Sequence, residues 1–237
     1  MLKYFFERIV LILDNSSQKK NFSFLKKIFG NKINTFFDVG FHAGETASLV
    51  NQYFSVKEIH AFEPNPNISK SFYERKFKNV VLIKKGVGRK NCKKTFFINN
   101  FSSINSFFKI NNQSGHTKLK ERILNFLYSE TINSTKKEVE IITLKNYCSK
   151  KGILYIDVLK IDTEGSEYDV LIGLGQNIKN VKCILFEHHY DKSLIKNYKF
   201  GDINKLLIKN GFKKVFKSKM LLRNIIEYVY LNEKFYF

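Results

Sequence analysis

Apolar positions recur in two rhythms along this chain, and the rhythm assigns each element. Leu2, Phe5, Phe6, Ile9 and Val10 return at helical spacing, which predicts an amphipathic helix over residues 1–13 that ends in Asp14-Asn15-Ser16-Ser17. It is the start of an N-terminal helical extension, 1–30. Residues 33–39 read as a short buried strand ended by Gly40, and 43–54 as a helix with apolar Ala47, Leu49, Val50 and Tyr53. A second strand, 58–62, stops at Glu63-Pro64-Asn65-Pro66, where the prolines favour a loop before a helix over 68–77. A third strand, 80–83, is ended by Gly86-Val87-Gly88.

Strand, helix and strand in alternation predict an α/β fold with a mostly parallel sheet. The alternation resumes with a strand over 155–161, a helix over 166–174 and an apolar strand over 181–187. A helix over 202–210 closes on Gly211, and runs at 212–216 and 227–231 suit an antiparallel hairpin at the edge. Between these halves, 91–152 is a long excursion with strands at 94–98 and 138–142 and a helix at 119–128. A loop this long in a compact unit is usually functional, so it reads as a substrate-facing insertion within a single domain, 1–237.

Composition adds three points. Cys92, Cys148 and Cys183 stand far apart with no zinc-like spacing, which argues against a disulfide framework or structural zinc, and no metal is expected. A reducing cytoplasm is therefore the expected location. The N-terminal apolar run carries Lys3, Glu7 and Arg8, lacks a small-residue cleavage site and is shorter than the ~20 apolar residues a spanning helix needs. It is expected to pack on the domain, with contact at a membrane surface as the alternative. The net charge of +20 would attract phosphates. Abundant Lys, Asn, Ile and Phe with sparse Arg, Pro and Gly fit AT-rich coding equally well.

Candidate chemistry sits at strand ends. The first group is the loop Asp38-Val39-Gly40-Phe41-His42-Ala43-Gly44-Glu45-Thr46. A glycine turn between strand and helix lets backbone approach a ligand. Dinucleotide folds carry G-x-G-x-x-G there for a pyrophosphate. Here the third glycine is missing and an acid precedes Gly40, which suits a cationic cofactor and argues against an NAD-dependent oxidoreductase. The second is Glu63, 25 residues after Asp38 at the tip of the next strand, placed to accept hydrogen bonds from ribose hydroxyls. The third is Asp162, Glu164 and Glu167, discharged from a buried strand into one turn. Helix capping accounts for Glu164 and Glu167 but not for Asp162.

These blocks resemble the FkbM-type methyltransferases, a class I family dependent on S-adenosylmethionine. The resemblance rests on Asp38-Val39-Gly40-x-x-x-Gly44-x-Thr46, Ala61-Phe62-Glu63-Pro64-x-Pro66, Thr143-Leu144, Leu159-Lys160-Ile161-Asp162-x-Glu164-Gly165-x-Glu167 and Ile184-Leu185-Phe186-Glu187. It implies a Rossmann-like, seven-stranded sheet with a C-terminal antiparallel hairpin, and methyl transfer to oxygen of a sugar, glycan or small-molecule hydroxyl. By position, Asp38, Gly40, His42, Gly44 and Thr46 would form the cofactor loop. Glu63 and Pro64 would lie at the ribose, Gly86 and Val87 by the adenine, and Asp162 near the methionine end. The family loop reads D-V-G-A-N-x-G; here Phe41-His42 replace Ala-Asn, so a histidine donor stands where the family has an asparagine.

For a catalytic base the candidates are Asp162, Glu164 and His188 of the pair His188-His189; His60 and His116 are remote in the sequence pattern. Ser102-Ser103-Ile104-Asn105-Ser106 could line an acceptor site. An RNA methyltransferase is the second reading, supported by the charge but by no appended RNA-binding module and no N-P-P-[YF] motif. A non-catalytic protein of the same fold is the third, and His42 is where it would show.

Overall fold

The structure is a computed structural model that describes residues 2–99, 105–107, 134–190, 196–220 and 224–236, with side chains from residue 16 onward. Its main sheet has seven strands: β1 (Lys32–Val39), β2 (Ser55–Phe62), β3 (Val80–Ile83), β7 (Ile156–Ile161), β8 (Val181–His189), β9 (Phe212–Lys219) and β10 (Ile225–Asn232). Their spatial order is β3-β2-β1-β7-β8-β10-β9. The pairs from β3 through β8 are parallel, and β10 runs antiparallel to both β8 and β9. This is the Rossmann-like arrangement with a C-terminal antiparallel hairpin.

Every residue of β7 is buried, as expected of a central parallel strand covered on both faces. One face packs against α1 (Leu2–Phe29) and α2 (Glu45–Tyr53) through Phe22, Leu25, Phe36, Ala47, Val50, Val158 and Leu185. The other packs against α4 (Leu144–Lys151), α5 (Glu167–Ile172) and α6 (Phe200–Lys209) through Phe37, Val39, Leu144, Val170, Ile161, Phe186 and Ile203. A short α3 (Lys70–Lys76) precedes β3, and a terminal turn, α7 (Glu233–Tyr236), follows β10.

The excursion contributes β5 (Cys92–Asn99) and β6 (Ser134–Ile142), which join β4 (Gly86–Val87), just ahead of it, in a second sheet of order β4-β6-β5. The helix expected over 119–128 and the positions Ser102, Ser103 and Ile104 lie outside the described residues.

Two sequence expectations change. Helix α1 does not stop at Asp14-Asn15-Ser16-Ser17 but runs on to Phe29. Polar side chains there would ordinarily compete for local backbone groups. Instead the Ser17 hydroxyl meets that of Ser218 at 2.7 Å and Asn21 Nδ2 donates to Glu227 at 2.7 Å, while Phe22 and Leu25 enter the core. Helix α4 has no strong apolar stripe and escaped the periodicity. Its punctuation was nevertheless present: Thr143 accepts from the Asn146 N–H as N-cap, and Gly152 closes it at φ 66°.

Candidate functional site at the carboxyl edge of the sheet

The chain leaves β1 toward β2 and β3 on one side and returns to β7 on the other. The crevice between β1 and β7 is therefore the topological switch point, where open α/β sheets bind ligands. Three strand ends are tied together there. The N–H groups of Gly40 and Phe41 both donate to the Phe62 carbonyl, at 3.0 and 3.1 Å, and the Asp162 N–H donates to the Val39 carbonyl at 2.8 Å. Gly40 sits at φ 97°, and a Cβ there would fall 1.7 Å from the Asp162 carbonyl oxygen. No other residue fits this approach.

The loop then turns through His42, at φ 48°, and Gly44, at φ 79°. Phe41 is buried, nearly perpendicular to the ring of Tyr73 at 5.2 Å and that of Phe77 at 6.4 Å. A Cβ on Gly44 would press on Phe41 and Phe77, each at 2.9 Å. The phenylalanine that departs from the family loop is thus a packing residue that anchors the loop to the α3 region. His42 stands on the outer side. Its Nδ1 lies 3.0 Å from Glu45 Oε1, and its N–H donates to Glu63 Oε2 at 2.9 Å. Burial opposes a charge on the imidazole, but Glu45, with help from Glu63 and Asp162, raises its pKa.

Glu63 is buried, and its second oxygen accepts from the Asn65 N–H at 2.9 Å. Burial raises its pKa against those two backbone donors. In this state Glu63 clamps the Asp38–Thr46 loop to the turn through Pro64; each oxygen keeps a second lone pair for a hydroxyl. Thr46 is buried on the first turn of α2. Gly86 and Val87 are buried in β4, and a Cβ on Gly86 would meet Ile141 at 2.6 Å and Phe107 at 2.7 Å.

Period-2 alternation sorts the remaining groups onto two faces. Asp38, Lys160, Asp162, Glu187, His189 and Glu227 share the face of α1 and α2, in step with Phe36, Val158, Leu185 and Val229. Asp38 is fully buried, and neither carboxylate oxygen has a hydrogen-bond partner among the described residues. Burial pushes its pKa up to about 7, with Lys160 pulling the other way. Lys160, 1% exposed, donates to Asp162 Oδ2 at 2.9 Å. Burial disfavours its charge, yet Asp162, Asp38 and Glu187 hold it firmly protonated. Burial would raise Asp162, but the Lys160 ammonium keeps it below the usual carboxylate value.

Glu187 and Glu227 are cross-strand partners and both buried. Burial drives Glu187 well above the usual value, with Asp162 and Glu227 adding to it, and takes Glu227 to about 7. His189 Nε2 lies 3.3 Å from Glu164 Oε2 and 4.0 Å from Glu187 Oε2. Glu164 adopts φ 50°, a conformation that costs a non-glycine residue on the order of 1–3 kcal/mol.

His188 falls on the opposite face. Its ring packs against Tyr190 at 4.7 Å, Phe200 at 5.8 Å and Tyr198 at 5.9 Å. Burial lowers its pKa to about 4, so it is neutral at physiological pH. The sequence-based choice of His188 is not brought to the carboxylate group; its neighbour His189 is. Glu167 has a local role: it accepts from the N–H groups of Thr163 and Gly165, the Thr163 hydroxyl and the Tyr198 hydroxyl, clasping the loop after β7. Sequence reading quoted Lys160 and Glu187 within motifs but gave no role to them or to Glu227. The usable signal was a lysine inside an otherwise apolar strand, because a buried cation requires partners.

Strand order, switch point and acid-lined crevice define a Rossmann-like class I methyltransferase fold. The chain belongs to the FkbM methyltransferase domain family, which it matches over residues 38–214, and that family uses S-adenosylmethionine. Among solved structures it is similar to magnesium protoporphyrin IX methyltransferase from Synechocystis with bound S-adenosylmethionine. The TM-score is 0.50 at 8% identity, covering 91% of this chain and 77% of that one. A second similar structure is M. capricolum TrmK with S-adenosyl-homocysteine, at TM-score 0.46 and 12% identity, covering 90% and 68%. At these identities the likeness concerns the fold alone. A comparison with curated protein sequences finds no match. No helix among the described residues is long and apolar enough to cross a membrane.

Proposed function

We propose that this protein transfers the methyl group of S-adenosylmethionine to a hydroxyl of a sugar or another small acceptor. The observation that carries the reading is Asp38, a buried carboxylate with no hydrogen-bond partner among the described residues, at the switch point. Leaving such a group unpaired is costly, and a cationic ligand would satisfy it. The bound cofactor would supply a methyl group activated on a cationic sulfur. Asp38 and Asp162 would face its methionine end, Gly40, Gly44 and Thr46 would shape the loop around it, and His42 would donate toward the methionine carboxylate. Glu63 beside Pro64 would accept from the ribose, with Gly86 and Val87 by the adenine. The accessory sheet, within a single 1–237 unit, would face the acceptor.

In-line methyl transfer draws much of its rate from positioning. The His189–Glu164 pair would take the proton from the acceptor hydroxyl as its oxygen bonds to the methyl carbon and the carbon–sulfur bond breaks. A thermal-shift panel tests the site. S-adenosylhomocysteine should stabilise the protein and NAD should not, and Asp38→Ala and Glu63→Ala should each abolish the shift. If both variants kept it, the site would lie elsewhere. Methyl transfer to RNA is the second reading, favoured by the net charge of +20. Incorporation of labelled methyl into RNA, with binding that weakens steeply with salt, would replace the first reading by the second.

A further inference from the structure

Helix α1 is continuous from Leu2 to Phe29, and its second half fixes its rotation against the sheet. Ser17, Gln18, Asn21, Phe22 and Leu25 are buried, whereas Lys19, Lys20, Ser23, Lys26 and Lys27 are exposed. Ser17 meets Ser218, one residue from the end of β9 at the carboxyl edge of the sheet. From Phe29 the chain enters β1 at the opposite edge, so the residues ahead of Ser17 carry α1 past the carboxyl edge. At a rise of 1.5 Å per residue this extension is about 22 Å long.

Residues 18 apart share one line along an α-helix, because five turns of about 3.6 residues restore the same bearing. Leu2, Phe5 and Ile9 therefore fall on the lines of Lys20, Ser23 and Lys27, on the exposed side. Phe6 and Val10 fall on those of Phe24 and Ile28, which are half-buried. Lys3 and Glu7 fall on the lines of the buried Asn21 and Leu25. The apolar face of the first half is thus turned away from the side by which α1 grips the sheet. Neither acid of α1 stands on the outward side, since Glu7 lies on the inner line and Asp14 about two turns before Asn21.

We propose that α1 docks the protein on the surface of anionic lipid membranes. The apolar face of its first half lies in the headgroup boundary, and Lys19, Lys20, Lys26 and Lys27 continue that side over the lipid phosphates. A single weak anchor binds only marginally, and firm docking takes an apolar and a basic element together. Helix α1 presents both on one side, and the net charge of +20 adds a long-range pull toward an anionic surface. A second copy of the chain is a poorer occupant. Parallel pairing of two such faces sets lysine against lysine, and antiparallel pairing sets lysine against the apolar half. The inference goes beyond the methyl-transfer reading and is independent of the cofactor and acceptor.

The full-length protein is sedimented with vesicles of phosphatidylcholine alone, and with vesicles of phosphatidylcholine and phosphatidylglycerol in equal parts. It should bind the mixed vesicles and not the neutral ones, and binding should weaken as salt rises. The double variant Phe5→Ser, Ile9→Ser should weaken binding roughly tenfold or more while keeping the wild-type Tm. The pair Lys20→Ser, Lys27→Ser should weaken it about thirtyfold, which is about 1 kcal/mol per lysine. Lys136→Ser, Lys137→Ser removes the same charge from the exposed part of β6 and should change binding by about twofold at most. Absence of vesicle binding, equal binding to neutral vesicles, full binding by both α1 variants, or an equal loss in the β6 variant would each overturn the proposal. So would a fall in Tm in the Phe5 and Ile9 variant, which would place that face against the fold. A dimer in light scattering that this variant dissolves would assign the face to a second copy instead.

Discussion

The two faces of the sheet are equally well buried near its carboxyl edge, yet they are built of opposite materials. On the α4–α6 face, Phe37, Val39, Ile161, Phe186, His188 and Tyr228 form an apolar and aromatic layer, and even its histidine is held neutral. On the α1–α2 face, at the same level of the strands, stand Asp38, Asp162, Glu187, Glu227 and Lys160, the one buried lysine or arginine among the described residues. A core gains nothing in stability from such a group, since desolvating it costs more than a well-packed apolar substitute would. The contrast teaches that at the carboxyl edge one face continues the apolar core while the other departs from it, and under the proposed function that charge serves the ligand. Helix α1 takes part in this, because Asn21 and Ser218 satisfy one oxygen of Glu227.

The strongest way to break the contrast is to remove the cation. Lys160→Met leaves Asp38 and Asp162 without their counter-charge and should cost about 3–5 kcal/mol at pH 8. This corresponds to a drop in Tm of roughly 10 °C for a chain of this size. The loss should be smaller at pH 5. The carboxyl groups, whose folded pKa values rise further without Lys160, are then protonated, and stability tied to a raised acid pKa is lost as pH rises. A Tm within a few degrees of wild type at pH 8 would show that the charged face is not held by Lys160.

Asp38→Asn sharpens the contrast by separating stability from function. Asp38 has a folded pKa of about 7 against an ordinary 3.8, so it destabilises the ligand-free fold increasingly as pH climbs through that interval. The variant should therefore gain stability over wild type at pH 8 and less at pH 5, while losing S-adenosylmethionine affinity by a factor of about 100. Wild-type affinity should itself rise between pH 6 and 8 as the carboxyl ionises, a slope that calorimetry would find missing from Asp38→Asn.

The two adjacent histidines test the faces directly. In an NMR titration the His188 imidazole should stay neutral down to about pH 4. Glu164→Gln, which changes the other face, should leave the His188 midpoint in place. A His188 midpoint at the ordinary 6.5 would remove the distinction. The smallest effect concerns Glu164 itself: Glu164→Gly should relieve the left-handed backbone and raise stability by about 1 kcal/mol in chemical denaturation, at the expense of the pair with His189.

Much of this was legible in the chain before folding. The apolar rhythm located the strands of the main sheet, and the acids and glycines at their ends located the crevice, because strand ends and glycine turns are local features. Helix α1 was misjudged because Ser17 and Asn21 find partners on β9 and β10, some 200 residues away in sequence, which no local pattern reveals. His188 was preferred to His189 for a related reason. Both sit at one strand end, and only the pairing of β8 with β7 and β10 decides which parity faces the carboxylates.

By itself, then, the sequence determined the fold class, the loop from Asp38 to Thr46 and the family, all of which depend on residue type and short spacing. Tertiary structure alone decided the rest. It buried Asp38 without a partner, placed Lys160 among four carboxyl groups and made Phe41 a packing residue. The physical reason is that charge, burial and hydrogen-bond partners belong to neighbours in space. A sequence specifies those neighbours only through the sheet register and helix packing it adopts.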